Sequence, residues 1–154
     1  MKTNQDKIIE FLEKFPVLPS IDLADMAWID HRKLEMAVYR MSKQEVNKVY
    51  RSYYYGTFRG KEYKKLPIFS LKPFVCLSEL AYKLIEAIDN GHNTTKELVD
   101  QTGSSRRAVV ANLKRYPEVF KIEKVGVYKR TPIKISRYGV IRYYFTNESE
   151  ANNE

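Results

Sequence analysis

The residues best suited to do chemistry in this chain are cations. Arg106 and Arg107 follow directly on Gly103-Ser104-Ser105 and open a stretch in which Val109 and Leu113 recur at helical spacing. A guanidinium in that place offers a two-pronged fork that matches guanine or a phosphate. A helix that begins at the serines also offers backbone N–H donors to an anion. With Val109 and Leu113 turned inward, Ser104, Ser105, Arg106, Arg107, Val110, Ala111 and Lys114 stand on or near the outer face. The corresponding set earlier in the chain is His31, Arg32, Lys33, Glu35, Met36 and Arg40. Cations also gather in two strand-like regions, Arg59, Lys61, Lys64 and Lys65 in the first and Lys129, Arg130, Lys134 and Arg137 in the second. Their common chemistry is polyanion binding. Most are expected on phosphates, which position a protein without reading sequence.

Catalytic chemistry finds no comparable support. The two histidines and the one cysteine are far apart and give no metal-ligand spacing. No Gly-rich phosphate loop and no nucleophile elbow is present, and the carboxylates are dispersed rather than clustered for Mg²⁺. The expectation is a non-enzyme with no catalytic residue, no metal and no cofactor. Cys76 has no partner for an internal disulfide and reads as a buried thiol in a reducing cytoplasm.

Composition agrees with a nucleic-acid partner. The 154 residues carry 27 Lys and Arg against 19 Asp and Glu, a formal net charge of +8, with 44% hydrophobic and 13% aromatic side chains. That is enough apolar material for a core, and no run reaches the ~20 residues of a membrane span. No signal peptide is visible, so a cytoplasmic protein without a membrane partner is expected. The charge is segregated. Residues 1–30 sum to −3, 31–72 to +8, 73–103 to −3, 104–145 to +9 and 146–154 to −3. A surface tuned only for solubility intersperses its signs. Here an acidic segment precedes a basic one twice over.

The same duplication shows in the apolar spacing. A shift of 75 residues lays Leu23 on Leu98, Asp25 on Asp100, Arg32 on Arg107, Leu34 on Val109, Val38 on Leu113 and Arg40 on Arg115. A shift of 76 lays Ile8, Ile9 and Leu12 on Leu84, Ile85 and Ile88. Each copy predicts three helices and a β-ribbon. In the first, Ile8, Ile9, Leu12 and Phe15 form a helix stopped by Pro16 and Pro19. A short helix over 22–27 follows with Ser20 as its N-cap, and Asp30 caps a third helix carrying Leu34, Val38 and Met41. In the second, a helix over 79–89 breaks at Asn90-Gly91. Another starts at Thr94 or Thr95 and turns at Thr102-Gly103, and a third is capped by Ser104 or Ser105 and ended by Pro117.

Strand patterns cover 49–58 and 64–71, joined by the polar segment Arg59-Gly60-Lys61-Glu62. In the second copy they cover 119–130 and 140–145, joined by an exposed loop. The expected division is 1–72 for the first repeat, 73–145 for the second and 146–154 for a disordered acidic tail.

Helix, tight turn, helix and basic ribbon together resemble the winged helix-turn-helix family of DNA-binding proteins. The likeness is carried by Glu97-Leu98-Val99-Asp100-Gln101-Thr102-Gly103-Ser104-Ser105-Arg106-Arg107-Ala108-Val109-Val110-Ala111-Asn112-Leu113, and in the first copy Trp28 stands where the turn glycine is expected. The resemblance spans residues 6–72 and 79–145. It implies an α+β, mainly α chain of two tandem winged-helix repeats, each of three helices plus a β-ribbon. Each third helix would lie in a major groove, with each ribbon, or wing, on the backbone or minor groove. As a monomeric internal dimer, the chain would cover two successive grooves of a non-palindromic double-stranded DNA site. The fused pair is also similar to the small cytosolic transfer proteins of Gram-positive conjugative plasmids, of the TraN type. That implies an accessory factor near the transfer origin, with the relaxase or other transfer proteins as further partners. The alternatives are a phage or plasmid transcriptional repressor and, in another class, a winged-helix protein–protein adaptor.

Several side chains have plainer readings. Tyr50, Tyr53, Tyr54 and Tyr55 are expected to fill the seam between sheet and helices rather than to stack on unpaired bases. Trp28 is expected as a core anchor, Met26, Met36 and Met41 as packing, and His92 as loop polarity.

Overall fold

The computed structural model describes residues 2–146. Asn4–Lys14 (α1), Leu18–Pro19 (β1), Ser20–Ala27 (α2) and His31–Met41 (α3) lead into a long hairpin, Tyr50–Phe58 (β2) and Lys61–Ser70 (β3). After Phe74–Leu77 (β4), the order recurs with Glu79–Asp89 (α4), Thr95–Thr102 (α5), Arg106–Arg115 (α6) and a shorter hairpin, Phe120–Lys124 (β5) and Val127–Arg130 (β6). Ser136–Tyr138 (β7) and Ile141–Phe145 (β8) close the described chain. Helix holds 41% and strand 30%. The chain is therefore mixed α and β, with six helices and small antiparallel sheets among the described residues, and is not mainly helical. Except for Thr146, the acidic tail lies outside them.

Local chemistry explains the helix ends. Thr3 and Asp6 form a reciprocal capping box on α1, and Ser78, Thr94 and Ser105 each accept a backbone N–H at the start of α4, α5 and α6. The first half is less well capped. Asp30 occupies the N-cap of α3 without a side-chain hydrogen bond. Ser20 is not the cap of α2 but its buried first residue, because Pro19 already supplies the extended conformation that begins the helix.

The duplication is retained in the packing. Leu23 and Leu98, Leu34 and Val109, and Val38 and Leu113 are all buried at matching places in the two three-helix clusters. Ile8 and Leu84, both 0% exposed, do the same on α1 and α4.

The strands depart from expectation in the second half. β1 pairs with β3 and β3 with β2, giving an antiparallel sheet of order β1-β3-β2. The counterpart of β1 is Thr94, whose single bridge to Val127 adds it to the β5–β6 hairpin. So the segment 119–130 is itself the second ribbon, folded back at Val125-Gly126. The segment 140–145 is not its partner. β8 pairs instead with β4 and β7 in a separate sheet of order β4-β8-β7. The first hairpin turns through Arg59 and Gly60 alone, both left-handed at φ 53° and 77°, rather than through a four-residue loop. That is the geometry whose twist suits a two-residue hairpin.

Side-chain alternation then builds a third core between the halves. Tyr54, Phe58, Leu66 and Ile68 from the first sheet meet Phe74, Cys76, Ile141, Tyr143 and Phe145 from the second. The Cys76 N–H donates to Ser52 Oγ at 2.9 Å, tying edge strand β2 to β4. Tyr54 is buried in this seam and Tyr50 packs against it, whereas Tyr53 and Tyr55 alternate onto the opposite face of β2, which corrects the expectation that all four tyrosines fill the seam. The Tyr54 hydroxyl donates to the Thr57 carbonyl at 3.0 Å. Gly56 lies where β2 meets α4. A Cβ there would stand 2.7 Å from Glu79 Cβ and 2.7 Å from the Tyr54 hydroxyl.

Two stability predictions follow from this core. Gly56→Ala should cost about 1–3 kcal/mol in denaturant unfolding, because its methyl has no space between the two halves. The second concerns alkali. Burial pushes the Tyr54 phenol up to about 12, with the Glu79 charge adding to it, and pushes the Cys76 thiol up to about 12. Both groups are held neutral by the fold. Their contribution is complete below the ordinary values of 10.0 and 9.0 and drains away as pH rises through about 12. Unfolding free energy should therefore fall by roughly 1–3 kcal/mol per pH unit above about pH 10. Tyrosinate absorbance should rise in two phases, an early one that includes Tyr39 and leaves the fold intact, and a late one from Tyr54 together with loss of helix. Ionisation of all twelve tyrosines with the helices intact would contradict this.

Candidate nucleic-acid interface

Each third helix is aimed by the turn before it. Gly103, at φ 69°, and Trp28, at φ 54°, both take the left-handed conformation at the same place in the two halves. Glycine adopts it freely, whereas tryptophan pays ~1 kcal/mol or more in backbone strain. The Ile29 N–H donates to the Ala24 carbonyl at 3.0 Å and holds the turn shut. The turn also corrects the expectation of a buried tryptophan. Ile29 takes the core position at 6% exposure, and Trp28 is left 92% exposed beside the start of α3. In the second half, Ser105 Oγ accepts the Ala108 N–H at 3.1 Å, while Thr102 Oγ1 accepts the Ser104 N–H at 3.3 Å. The serines thus set the helix start, with Ser105 exposed and Ser104 half-buried.

The outward faces of the two helices share an arginine and then diverge. On α3, Arg32, Met36 and Tyr39 fall on the side opposite Leu34, Val38 and Met41, and Lys43 follows in the turn after the helix. On α6 the corresponding positions are Arg107, Ala111 and Lys114, opposite Val109 and Leu113. Met36 is 51% and Tyr39 56% exposed, so Met36 is surface rather than packing, unlike the buried Met41. The Lys43 ammonium sits 4.4 Å from the Tyr39 ring centre and holds its phenol below the usual value, first by hydrogen bonding and then by charge. His31, Lys33 and Arg40 are exposed on the same helix, with His31 Nε2 3.4 Å from Ser20 Oγ and its Nδ1 3.6 Å from Glu35. Arg106 and Lys114 are exposed on α6, and Val110 is half-buried.

The ribbons hold fewer available cations than expected. Arg59 is committed to Asp22 of α2, with contacts of 2.7 and 3.0 Å between guanidinium and carboxylate. Asp22 is 2% exposed and also accepts the Tyr138 hydroxyl from β7. Arg130 is likewise paired with Asp89, at 2.6 Å. Lys61, by contrast, is exposed and in no ion pair, with its ammonium 5.2 Å from the Tyr63 ring centre. Lys134 and Arg137 are exposed but lie outside the second hairpin, the first in the connection that follows it and the second on β7.

Lys64, Lys65 and Lys129 are exposed on their strands, joined by Lys121 and Lys124, which the sequence reading passed over. Alternation along 119–130 would have found Lys121, and the helix period would have found Tyr39. Nothing local marks Trp28 as exposed. His92 is more than loop polarity, since its Nδ1 lies 3.2 Å from Glu97. Glu97 also accepts from Thr94 at 2.8 Å, and Thr94 first and His92 second hold its carboxyl below the usual range.

Among the described residues no group of three or more His, Cys, Asp and Glu is placed to hold a metal, and no helix is long and apolar enough to cross a membrane. The arrangement offers two unlike cationic helix faces and two ribbons of unequal length. No family model, no curated protein and no solved structure matches this chain.

The Arg59 pairing predicts a separation of stability from binding. Arg59→Ala strips a buried carboxylate of its cation and should lower unfolding free energy by about 1–3 kcal/mol. If the chain binds DNA as its sequence leads one to expect, the salt dependence of that affinity should stay unchanged. A flattened slope would return Arg59 to the DNA-contacting set.

Proposed function

We propose that this chain is a double-stranded DNA-binding protein, a tandem pair of winged helix-turn-helix units that places two third helices in successive major grooves as an internal dimer. The observation that carries the reading is the matched pair of left-handed turns at Trp28 and Gly103. Each precedes a third helix whose outer face presents an arginine at the same place, Arg32 and Arg107. A guanidinium at that place suits guanine or phosphate, and the surrounding Lys33, Arg40, Arg106 and Lys114 suit the backbone. Because Met36 and Tyr39 stand where the other helix has Ala111 and Lys114, the two half-sites differ and the site is non-palindromic. In biological setting this reading is of a plasmid-transfer accessory factor or a regulator of plasmid or phage genes.

One observation favours a second reading. Trp28, Met36 and Tyr39 are exposed together in the first half, and aromatic residues and methionine are enriched at protein interfaces. On that reading α3 is an adaptor surface.

The deciding measurement is affinity for a random-sequence duplex across a salt series, with Arg32→Ala, Arg107→Ala and the double variant beside the parent. Each single change should reduce the slope of log K against log salt by about 0.9, and the double by roughly twice that. Absence of binding at low salt would overturn the DNA reading. An unchanged slope in Arg32→Ala alone would hand α3 to the adaptor reading.

A further inference from the structure

The first hairpin cannot act as a freely projecting wing. Its tip is bound to Asp22 through Arg59, and Tyr54, Phe58, Leu66 and Ile68 on one face are consumed by the core between the halves. What remains is the opposite face, and a bulge concentrates charge on it. Tyr54 pairs with Leu66 and Gly56 with Tyr63, so two steps along β2 are matched by three along β3. The extra residue brings both Lys64 and Lys65 opposite Tyr55, on the side that also carries Arg51 and Tyr53.

The rings on this face hold cations in place. Lys65 Nζ lies 4.3 Å and the Arg51 guanidinium 5.3 Å from the Tyr53 ring centre. Tyr55 carries a cation from the other half, the guanidinium of Arg115 at the C-terminal end of α6, at 4.7 Å. Arg51, Lys64, Lys65 and Arg115 make no ion pair among the described residues. Four cations on one strip, none of them in an ion pair, call for an anionic partner larger than a single ion. Each ring already has a cation against it, which leaves less open face for unpaired bases. This favours phosphodiester groups over stacking, and the rings reduce the entropy the side chains lose on making those contacts.

Resting on the DNA reading above, we propose that the outer face of the β2–β3 hairpin and Arg115 form one composite site for the duplex backbone. The ribbon of the first half then serves the third helix of the second. Tyr55 is the positioning residue that joins them, and Glu62, beyond the lysines on the same face, marks the end of the strip.

The test uses the full chain and a labelled random-sequence duplex of about 30 base pairs, with a single strand of equal length beside it. Lys64→Gln/Lys65→Gln should flatten the duplex salt slope by roughly 2 and weaken binding on the order of tenfold at moderate salt. Arg115→Gln should flatten it by about 1. Tyr55→Leu should weaken duplex binding in the parent and add nothing in the Arg115→Gln background, the coupling expected if the ring acts through that guanidinium. The lysine pair is exposed, so its variant tests the strip even where Tyr55→Leu fails to fold. Parental slopes in the lysine and Arg115 variants, with the Arg107→Ala loss intact, would overturn the composite site and leave the DNA reading standing. Additive effects of Tyr55 and Arg115 would remove the cross-half coupling. Losses confined to the single strand would overturn the duplex assignment, and a parent that binds neither probe would overturn the DNA reading itself.

Discussion

The structure depends on the apolar contact between its two sheets. Each three-helix cluster has its own core, and what makes one body of them is the layer in which Tyr54, Phe58, Leu66 and Ile68 meet Phe74, Cys76, Ile141, Tyr143 and Phe145. Tyr143 packs edge-on against Phe74 at 6.5 Å and against Phe145 at 5.5 Å, and such pairs add about 0.5–1.5 kcal/mol each to their burial. A packed layer deforms little. The two third helices are therefore held at a fixed separation without help from a second chain. In a dimer of separate chains the pairing itself depends on concentration; here it is covalent and packed.

A fixed frame allows the halves to diverge. The second half keeps the low-strain solution, with Gly103 in the turn, Ser105 on the helix end and small or basic residues outward. The first holds Trp28 in the same left-handed turn and exposes it, with Met36 and Tyr39 further along α3. A ring left 92% exposed in a strained backbone position buries little apolar surface in the free protein, and on the two readings proposed above it is open to a base edge or to a partner protein. Arg32 and Arg107 are common to both helices, and the halves differ in what surrounds them, with Glu35, Met36 and Tyr39 on α3 against Val110, Ala111 and Lys114 on α6.

Legibility in the sequence follows the range of the interactions. The helices were readable because their signal is local. Leu23 and Leu98, or Leu34 and Val109, sit in the same burial at the same spacing, and a period of 3.6 survives limited identity. The outward cations of α3 and α6 came with that period. Strand partners did not, because pairing joins residues far apart in the chain. Alternation along 119–130 is equally consistent with one strand or a tight hairpin, and nothing in 140–145 names Phe74–Leu77 as its partner. The same holds for side chains neutralised at a distance. Arg59 and Arg130 read as free cations because Asp22 and Asp89 lie 37 and 41 residues away. Trp28 failed for another reason. Its size argued for burial, but the core position belonged to Ile29, and one residue of phase around a turn decides which is inside.

The duplication is unequal where it matters most. The helices repeat at an even offset, but the first hairpin has strands of 9 and 10 residues against 5 and 4 in the second. The extra length has a physical use. A hairpin that served one helix cluster would need a single apolar face, as β5 and β6 show with their largely exposed residues. The β2–β3 hairpin has to bury one face against the other sheet, anchor its tip on α2 and still reach α4 and α6, and only the longer ribbon spans all three. The strands β4, β7 and β8 that cover it have no equivalent in the first half. The asymmetry is thus part of how the halves are joined, with one ribbon packed into the joint and the other largely exposed. A ribbon locked in that joint offers only its outer face, which makes the position of Tyr55 next to Arg115 a consequence of how the halves are held together.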